Sequence, residues 1–159
     1  MVRKLEPRDR SALVDILNKV PNFKKTDVEI AVELIDIVIN FPGQEDYNIF
    51  VYEEDGMVKG YHCTGKRPET DAVYDLYWIV VDPEVSGKGI GKKLIRHAED
   101  FVKQQNGRLI LVETSSKESY GKTKEFYIKC GYILLAEIKH FYSEGESLLM
   151  YGKYMSNNL

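Results

Sequence analysis

From Val73 to Lys93 the chain reads Val-Tyr-Asp-Leu-Tyr-Trp-Ile-Val-Val-Asp-Pro-Glu-Val-Ser-Gly-Lys-Gly-Ile-Gly-Lys-Lys, an apolar strand that passes through a glycine-rich turn into a helix. Glycine at positions 87, 89 and 91 lets backbone N–H groups approach a ligand, because no Cβ stands in the way. The helix that follows adds unpaired first-turn N–H groups and the positive end of its dipole. The stretch therefore predicts a phosphate-binding loop.

Two common phosphate-binding loops do not fit the spacing of these glycines. A P-loop requires Gly-x-x-x-x-Gly-Lys-Ser/Thr, and no register of the turn supplies it. A dinucleotide fingerprint, Gly-x-Gly-x-x-Gly, would need glycine at position 92, where the chain has Lys92. A nicotinamide-dependent oxidoreductase is therefore disfavoured.

The turn resembles instead the acyl-coenzyme A loop of the GNAT superfamily of N-acyltransferases, which follows the pattern Gln/Arg-x-x-Gly-x-Gly/Ala. In this chain Gly89 and Gly91 match that pattern, and Ser86 stands where Gln or Arg is usual. The resemblance implies that acetyl-CoA is the cosubstrate and that its pyrophosphate lies on the loop residues Ser86, Gly87, Lys88, Gly89, Ile90, Gly91 and Lys92. It also implies that the main chain of Ile79, Val80 and Val81 pairs with the pantetheine arm, where the two central parallel strands separate, and helps to polarise the thioester carbonyl.

A second similarity to this family is Phe-Tyr, three residues, then Gly-Tyr, from Phe126 to Tyr132. In the family this tyrosine lies beside the coenzyme A sulfur, which implies that Tyr127 protonates the leaving thiolate. A phenol with an ordinary pKa of about 10 is protonated at neutral pH and suits that role. The alternative is that Tyr127 only packs its helix, as we expect of Phe126. The family often has Asn seven residues before this tyrosine; Tyr120 occupies that position here, and the resemblance implies that it belongs to the coenzyme A-binding residues.

Acyl transfer to an amine requires the neutral amine, so a carboxylate near the acceptor is useful. Asp75 is the best candidate, because it interrupts an apolar strand at the position where several members of the family have a general-base Glu. Burial there would raise its pKa, and its short side chain suggests that it acts through water. Two alternatives stay open: Asp75 is paired with a turn or a basic residue, or Glu113 on the next strand is the base.

The composition indicates one globular domain over residues 1–159, with 43% hydrophobic and 30% charged residues and a core of its own. The net charge of −3 argues against a general binder of nucleic acids or membrane surfaces. No run approaches the roughly 18 apolar residues of a membrane span and no signal peptide is apparent, so we expect a cytoplasmic protein. Two cysteines and three scattered histidines lack the spacing of a metal site, so no metal is expected.

Hydrophobic periodicity and turn signals predict the order of the remaining elements. A possible capping box at Thr26 and Glu29 begins the second helix, and Gly65 to Asp71 is a polar loop. The predicted elements are strand 2–5, helices around 13–20 and 26–41, strands 49–52, 57–63 and 73–81, a helix to 105, strand 109–112, helix 122–130, and strands 132–138 and 148–154. This order predicts an α/β (α+β) fold with a mixed central sheet of about six to seven strands and helices on both faces, which is also the GNAT arrangement.

The chain is accordingly identified as a member of the GNAT superfamily, which implies direct attack of an amine on the thioester of acetyl-CoA. The alternative is a coenzyme A-binding regulatory or interaction module without turnover, which Ser86 and Tyr120 mildly favour. The acceptor side is expected at residues 22–25 and 140–146, where Glu144 and Glu146 suit a cationic amine. A small-molecule amine is the expected acceptor, a protein amine is the alternative, and the sequence is compatible with a homodimer.

Overall fold

The computed structural model describes residues 1–155, and within them seven strands form one sheet with helices on both faces. The elements are β1 (Val2–Lys4), α1 (Arg10–Lys19), α2 (Lys25–Asn40), β2 (Asn48–Glu54), β3 (Met57–Lys66), β4 (Val73–Val81), α3 (Ile90–Gln104), β5 (Leu109–Ser115), α4 (Gly121–Lys129), β6 (Ile133–Ser143) and β7 (Glu146–Tyr154). The strand order is β1-β2-β3-β4-β5-β7-β6, and all neighbours are antiparallel except β4 and β5. The predicted mixed sheet is confirmed.

Two hydrophobic clusters hold the helices on the sheet. On one face α1 and α2 pack against β2 to β4, with Leu13, Leu17 and Ile35 completely buried. On the other face α3 and α4 pack against β4, β5 and β7 through buried residues such as Ala98 and Val102. Burying one large aliphatic side chain contributes about 1.5–3 kcal/mol. The sheet therefore carries a packed helical layer on each face.

The hairpin of β2 and β3 forms as its turn signal predicts. Asp55 and Gly56 both have positive φ, at 52° and 73°, which is the geometry of a two-residue hairpin turn that follows the twist of the strands. The end of β3 differs from the prediction, because the strand continues through Gly65 to Lys66 instead of giving way to a loop at Gly65. Pairing of Gly65 with Asp75 on β4 extends it.

Two other boundaries also differ from the sequence prediction. The second helix begins at Lys25, because the Asp27 carboxylate accepts a hydrogen bond from the Lys24 amide at 2.7 Å, so Thr26 is not its N-cap. The sixth strand continues to Ser143, five residues beyond the predicted end at Ile138. Pairing of Ser143 with Glu146 makes the last two strands a tight hairpin.

We expect Gly65→Ala to destabilise the protein, because its Cβ would lie 2.1 Å from the Asp46 carbonyl oxygen and 2.9 Å from the Tyr77 ring. The loss should be about 1–3 kcal/mol, as for other overpacked sites, and urea unfolding measures it. Gly43→Ala is the control, since a Cβ there meets nothing within 4 Å. Equal stability of the two variants would contradict the close packing of Gly65.

Candidate functional site

The parallel strands β4 and β5 separate after three residue pairs. Val73, Tyr74 and Asp75 pair with residues 109–111, and no further pair joins the two strands within the described chain. Residues 76–81 of β4 still pair with β3 on their other side. The backbone groups of Ile79 and Val81 that face β5 are thus open to an added extended segment, as in other cases of strand addition.

A β-bulge on β4 lies at the start of this gap. Cys63 pairs with Trp78 and Thr64 pairs with Leu76, which leaves Tyr77 as the extra residue. Bulges bend a strand and increase its local twist. Leu76 belongs to the cluster under α3 and α4, whereas Trp78 packs on the cluster under α1 and α2. The bulge therefore reverses which face each β4 side chain occupies and marks where β4 leaves β5.

The glycine loop lies at the far end of β4. Gly87 and Gly89 have φ angles of 83° and 79°, and a Cβ on either would meet nothing within 4 Å. These two positions favour glycine because an L side chain is strained at positive φ. Gly91 serves packing instead, since its Cβ would lie 3.3 Å from the ring of Phe126 on α4.

The first turn of α3 offers free backbone donors. Lys93 is the first residue of this turn whose amide is bonded, to the Gly89 carbonyl at 3.2 Å, and the amides of Ile90, Gly91 and Lys92 have no acceptor among residues 1–155. Lys88 and Lys92 are exposed beside them, as is Ser86. The structure therefore brings together open amides, a helix N-terminus and two cations, which is a site for an anion such as phosphate. The Lys93 amine turns away and donates to the Tyr52 hydroxyl at 2.9 Å.

Tyr127 lies on α4 and is only 6% exposed, in the same cluster as Leu76 of β4 and Val112 of β5, the two strands that border the gap. Its ring is therefore nearly enclosed between α4 and the two strands. Burial is the main cause of its raised pKa and the nearby Cys130 adds to it, so the phenol is protonated at neutral pH.

Asp75 lies on the opposite side of the sheet from Tyr127, because its neighbours Tyr74 and Leu76 both face α3 and α4. The Arg67 guanidinium donates to the Asp75 carboxylate at 2.7 Å and lies 3.8 Å from that of Glu113. Burial raises the pKa of Asp75, and the charge and hydrogen bond of Arg67 oppose that rise. The two carboxylates considered as bases are therefore on one face, joined by an arginine that the sequence analysis did not single out.

Tyr120 connects two segments of the expected acceptor side. Its hydroxyl donates to the Asn22 carbonyl at 3.3 Å, and the Asn22 side-chain amide donates to the Ser119 carbonyl at 2.9 Å. The loop between α1 and α2 is thereby fixed to the short helical turn before α4. Tyr120 therefore lies against the α1–α2 loop, and its hydroxyl is already bonded.

Glu146 binds the β6–β7 turn to the end of β5. Its carboxylate accepts hydrogen bonds from Ser115 at 2.7 Å and Ser143 at 3.2 Å, and it lies 3.0 Å from the Lys117 amine. The hydrogen bond from Ser115 is the largest cause of a lowered pKa of Glu146, and the contacts with Lys117 and Ser143 add to it. Lys117 thus balances the charge of Glu146, and the attraction of a cationic acceptor by Glu144 and Glu146 stays a prediction.

Two general findings concern the described residues, 1–155. No group of three or more His, Cys, Asp or Glu side chains is placed to hold a metal ion. No helix in this range has both the length and the apolar character needed to cross a membrane.

Residues 45–134 match the family model described as an acetyltransferase (GNAT) domain. The chain is 24% identical over 135 residues to S-(2-succino)cysteine N-acetyltransferase of Bacillus subtilis, covering 82% of each. It is 27% identical over 143 residues to 5-NmdU N-acetyltransferase of Pseudomonas phage PaMx11, covering 86% of this chain and 89% of that one.

Solved structures with the same fold include a chain from Desulfovibrio desulfuricans assigned to the GNAT family, with a TM-score of 0.94, 29% identity, and coverage of 98% of this chain and 99% of that one. Another, from Salmonella typhimurium, was solved with its cofactor acetyl-CoA and has a TM-score of 0.75 at 18% identity, covering 100% of this chain and 95% of that one. At that identity the likeness concerns the fold.

We expect Arg67→Gln to raise the pKa of Asp75 further, because the substitution removes the cation that stabilises its ionised form. Carbon-13 NMR of the aspartate carboxyls across pH measures this directly. Arg108→Gln is the matched control, because Arg108 binds the Asp71 carbonyl at 2.7 Å and leaves Asp75 untouched. An unchanged or lower pKa of Asp75 in Arg67→Gln would contradict the ion pair.

Proposed function

The chain belongs to the GNAT family of acetyltransferases, and from that premise we propose that a primary amine attacks the thioester of bound acetyl-CoA directly. Acetyl-CoA supplies the activated acetyl group, and the chain supplies binding, orientation and proton transfer. The observation that carries the proposal is the gap between β4 and β5, with Tyr127 on one face of the sheet, Asp75 on the other, and the glycine loop at its end.

The chain's own groups fit this cosubstrate. The free amides of residues 90–92 and the side chains of Lys88 and Lys92 suit a pyrophosphate. In the segment Ile79 to Val81, the backbone groups of Ile79 and Val81 are open to the gap while Val80 faces β3, and this edge suits the amide groups of an extended arm. Ser86 adds a hydroxyl where Gln or Arg is usual, so we assign most of the binding to the backbone.

We assign the proton donor role to Tyr127. Burial raises the pKa of its hydroxyl, which stays protonated at neutral pH, and a neutral phenol donates a hydrogen bond or a proton to a thiolate. The rings of Phe126 and Tyr132, with centroids 5.4 and 5.7 Å away, hold its orientation.

We propose that Asp75 takes up, through a water molecule, the proton that the amine loses. Its pKa is raised by burial, which makes it a better proton acceptor than an ordinary aspartate, while Arg67 keeps it ionised. Glu113 is the second candidate, because it lies on the same face and near the same guanidinium. The acceptor would then reach the gap from the α1–α2 side of the sheet.

For the acceptor we propose a small-molecule amine ahead of a protein amine. Two relatives are named for acetylation of a modified cysteine and of 5-NmdU, which supports this choice. Charge alone does not select a cation, because Arg67 and Lys117 balance Asp75 and Glu146 along the same side. An amine that also carries a carboxylate is therefore as compatible with these charges as a simple polyamine.

Release of free coenzyme A thiol from acetyl-CoA, measured with a panel of amines, tests the proposed reaction. The panel should include polyamines, amino acids and S-alkylated cysteines, nucleoside amines and peptides with free N-termini. Turnover of a small amine, with mass spectrometry of an N-acetyl product, is the expected result. Binding of acetyl-CoA without turnover of any small amine would contradict the proposal.

We expect Gly89→Val to abolish most coenzyme A binding, because a β-branched residue resists positive φ and places its side chain among the free amides. Isothermal calorimetry with coenzyme A measures the change. Gly56→Val is the matched control: Gly56 also has positive φ and open space around it, but lies in the β2–β3 turn. Equal affinities of the two variants would refute the assignment of the loop.

We expect Tyr127→Phe to bind acetyl-CoA normally and to lose about 10²–10⁴-fold in kcat, the usual contribution of a general acid. Tyr132→Phe is the control, because the Tyr132 hydroxyl is fully enclosed in the same cluster and cannot touch a ligand. If the kcat of Tyr127→Phe is as high as that of the control, Tyr127 is not the proton donor and serves only packing.

A further inference from the structure

Arg67 connects the two strands at the point where they separate. Among the described residues, Asp75 is the last of β4 to pair with β5, through Leu111, and Glu113 lies two residues further along β5. The Nη1 atom of Arg67 donates to the Asp75 carboxylate at 2.7 Å and lies 3.8 Å from the Glu113 carboxylate. One guanidinium therefore contacts a carboxylate from each side of the gap, at the beginning of the gap.

Most of the hydrogen-bond donors of Arg67 are unused. Both contacts are made by Nη1, and neither Nε nor Nη2 has an acceptor among residues 1–155. These two atoms form the edge of a guanidinium that binds a carboxylate through two parallel hydrogen bonds. Arg10 uses this edge for Asp36, with Nε and Nη2 donating at 2.5 and 2.8 Å. The side chain of Arg67 is 35% exposed, so the same edge can receive a carboxylate from outside the chain.

The backbone around Arg67 fixes the position of this side chain. The Arg67 amide donates to the Val73 carbonyl at 2.8 Å, and the Thr70 hydroxyl donates to the Arg67 carbonyl at 2.7 Å. Arg67 therefore lies in a closed turn directly after β3. A group that is held in place before its ligand arrives loses less conformational freedom on binding, which favours affinity.

We propose that the acceptor is a free α-amino acid, whose carboxylate binds the Nε–Nη2 edge of Arg67 while its amine lies beside Asp75 and Glu113. The assignment rests on the proposed function and makes Arg67 the residue that selects the acceptor. An α-amino acid carries its ammonium and its carboxylate on one carbon atom. Arg67 likewise lies next to both carboxylates of the gap, so each charge of the amino acid meets an opposite charge of the chain.

The free edge of Arg67 distinguishes an amino acid from other amines. A polyamine can contact Asp75 and Glu113, but it has no acceptor for Nε and Nη2. The N-terminus of a protein has an amide where the amino acid has its carboxylate. A neutral carbonyl makes hydrogen bonds about half as strong as those of a carboxylate. The geometry around Arg67 therefore favours the free amino acid over both.

Steady-state kinetics with matched pairs of acceptors tests the assignment. Each pair is an α-amino acid and the amine that lacks only its carboxylate: phenylalanine and phenethylamine, lysine and cadaverine, S-methylcysteine and S-methylcysteamine. The parent should favour the amino acid in kcat/KM, and Arg67→Gln should lower that preference about 10–100-fold, mainly through KM. A change in the pKa of Asp75 caused by the substitution acts on both members of a pair and cancels in the ratio.

Lys66→Gln is the matched control, because it removes the same charge one residue away on the opposite face of the sheet. Lys66 pairs with Tyr74, which belongs to the cluster under α3 and α4, and directly opposite residues share a face. The control should keep the preference of the parent. A parent that favours the amines, or an Arg67→Gln variant that keeps the preference of the parent, would overturn the assignment.

Calorimetry with coenzyme A bound separates the assignment from the proposed reaction, because no acetyl group is then transferred. An amino acid of the panel should bind the complexes of the parent and of Lys66→Gln, and bind that of Arg67→Gln at least about tenfold more weakly. If it does so while no compound releases thiol from acetyl-CoA, the proposed reaction fails and the assignment of Arg67 stands. If no amino acid binds, or if the two variants bind equally, the assignment fails even where amines are acetylated.

Discussion

The separation of β4 from β5 after only three residue pairs is the constraint on which the rest of the site depends. Paired parallel strands normally satisfy their backbone hydrogen-bonding groups along their whole length. Here, over the last six residues of β4, the backbone groups that face β5 have no partner on that strand. The bulge at Tyr77 bends β4 away, and the α4 cluster with Tyr127 closes one side of the opening. An extended, amide-bearing cosubstrate is the kind of molecule that satisfies such an edge.

The cosubstrate side could be predicted from the sequence because its signals are local. Gly87 and Gly89 take positive φ within a single turn, and the helix after them begins where its periodicity starts. The order of helices and strands along the chain also followed from local patterns of apolar residues. The match of residues 45–134 to the acetyltransferase (GNAT) domain confirms the family that those motifs indicated. Boundaries that depend on contacts between strands, such as the extension of β3 through Gly65, could not be derived in this way.

The charges around the acceptor could not be predicted, because they depend on contacts between distant segments. Arg67 reaches Asp75 only after β3 and β4 pair, and Lys117 reaches Glu146 only after the β6–β7 hairpin closes on β5. Counting acidic residues in the sequence therefore left out the two cations, Arg67 and Lys117, that pair with them. Because these carboxylates are paired, recognition of the proposed acceptor depends less on the sign of its charge than on how its groups fit around Arg67.

The last hairpin is fixed at its turn and exposed along its outer strand. Its turn is fixed by Glu146 to Ser115 and Lys117 beside the gap. Tyr142 also belongs to the exposed run of β6. The proposed acceptor side therefore borders an exposed apolar strand, whereas the glycine loop proposed for the cosubstrate lies at the other end of β4.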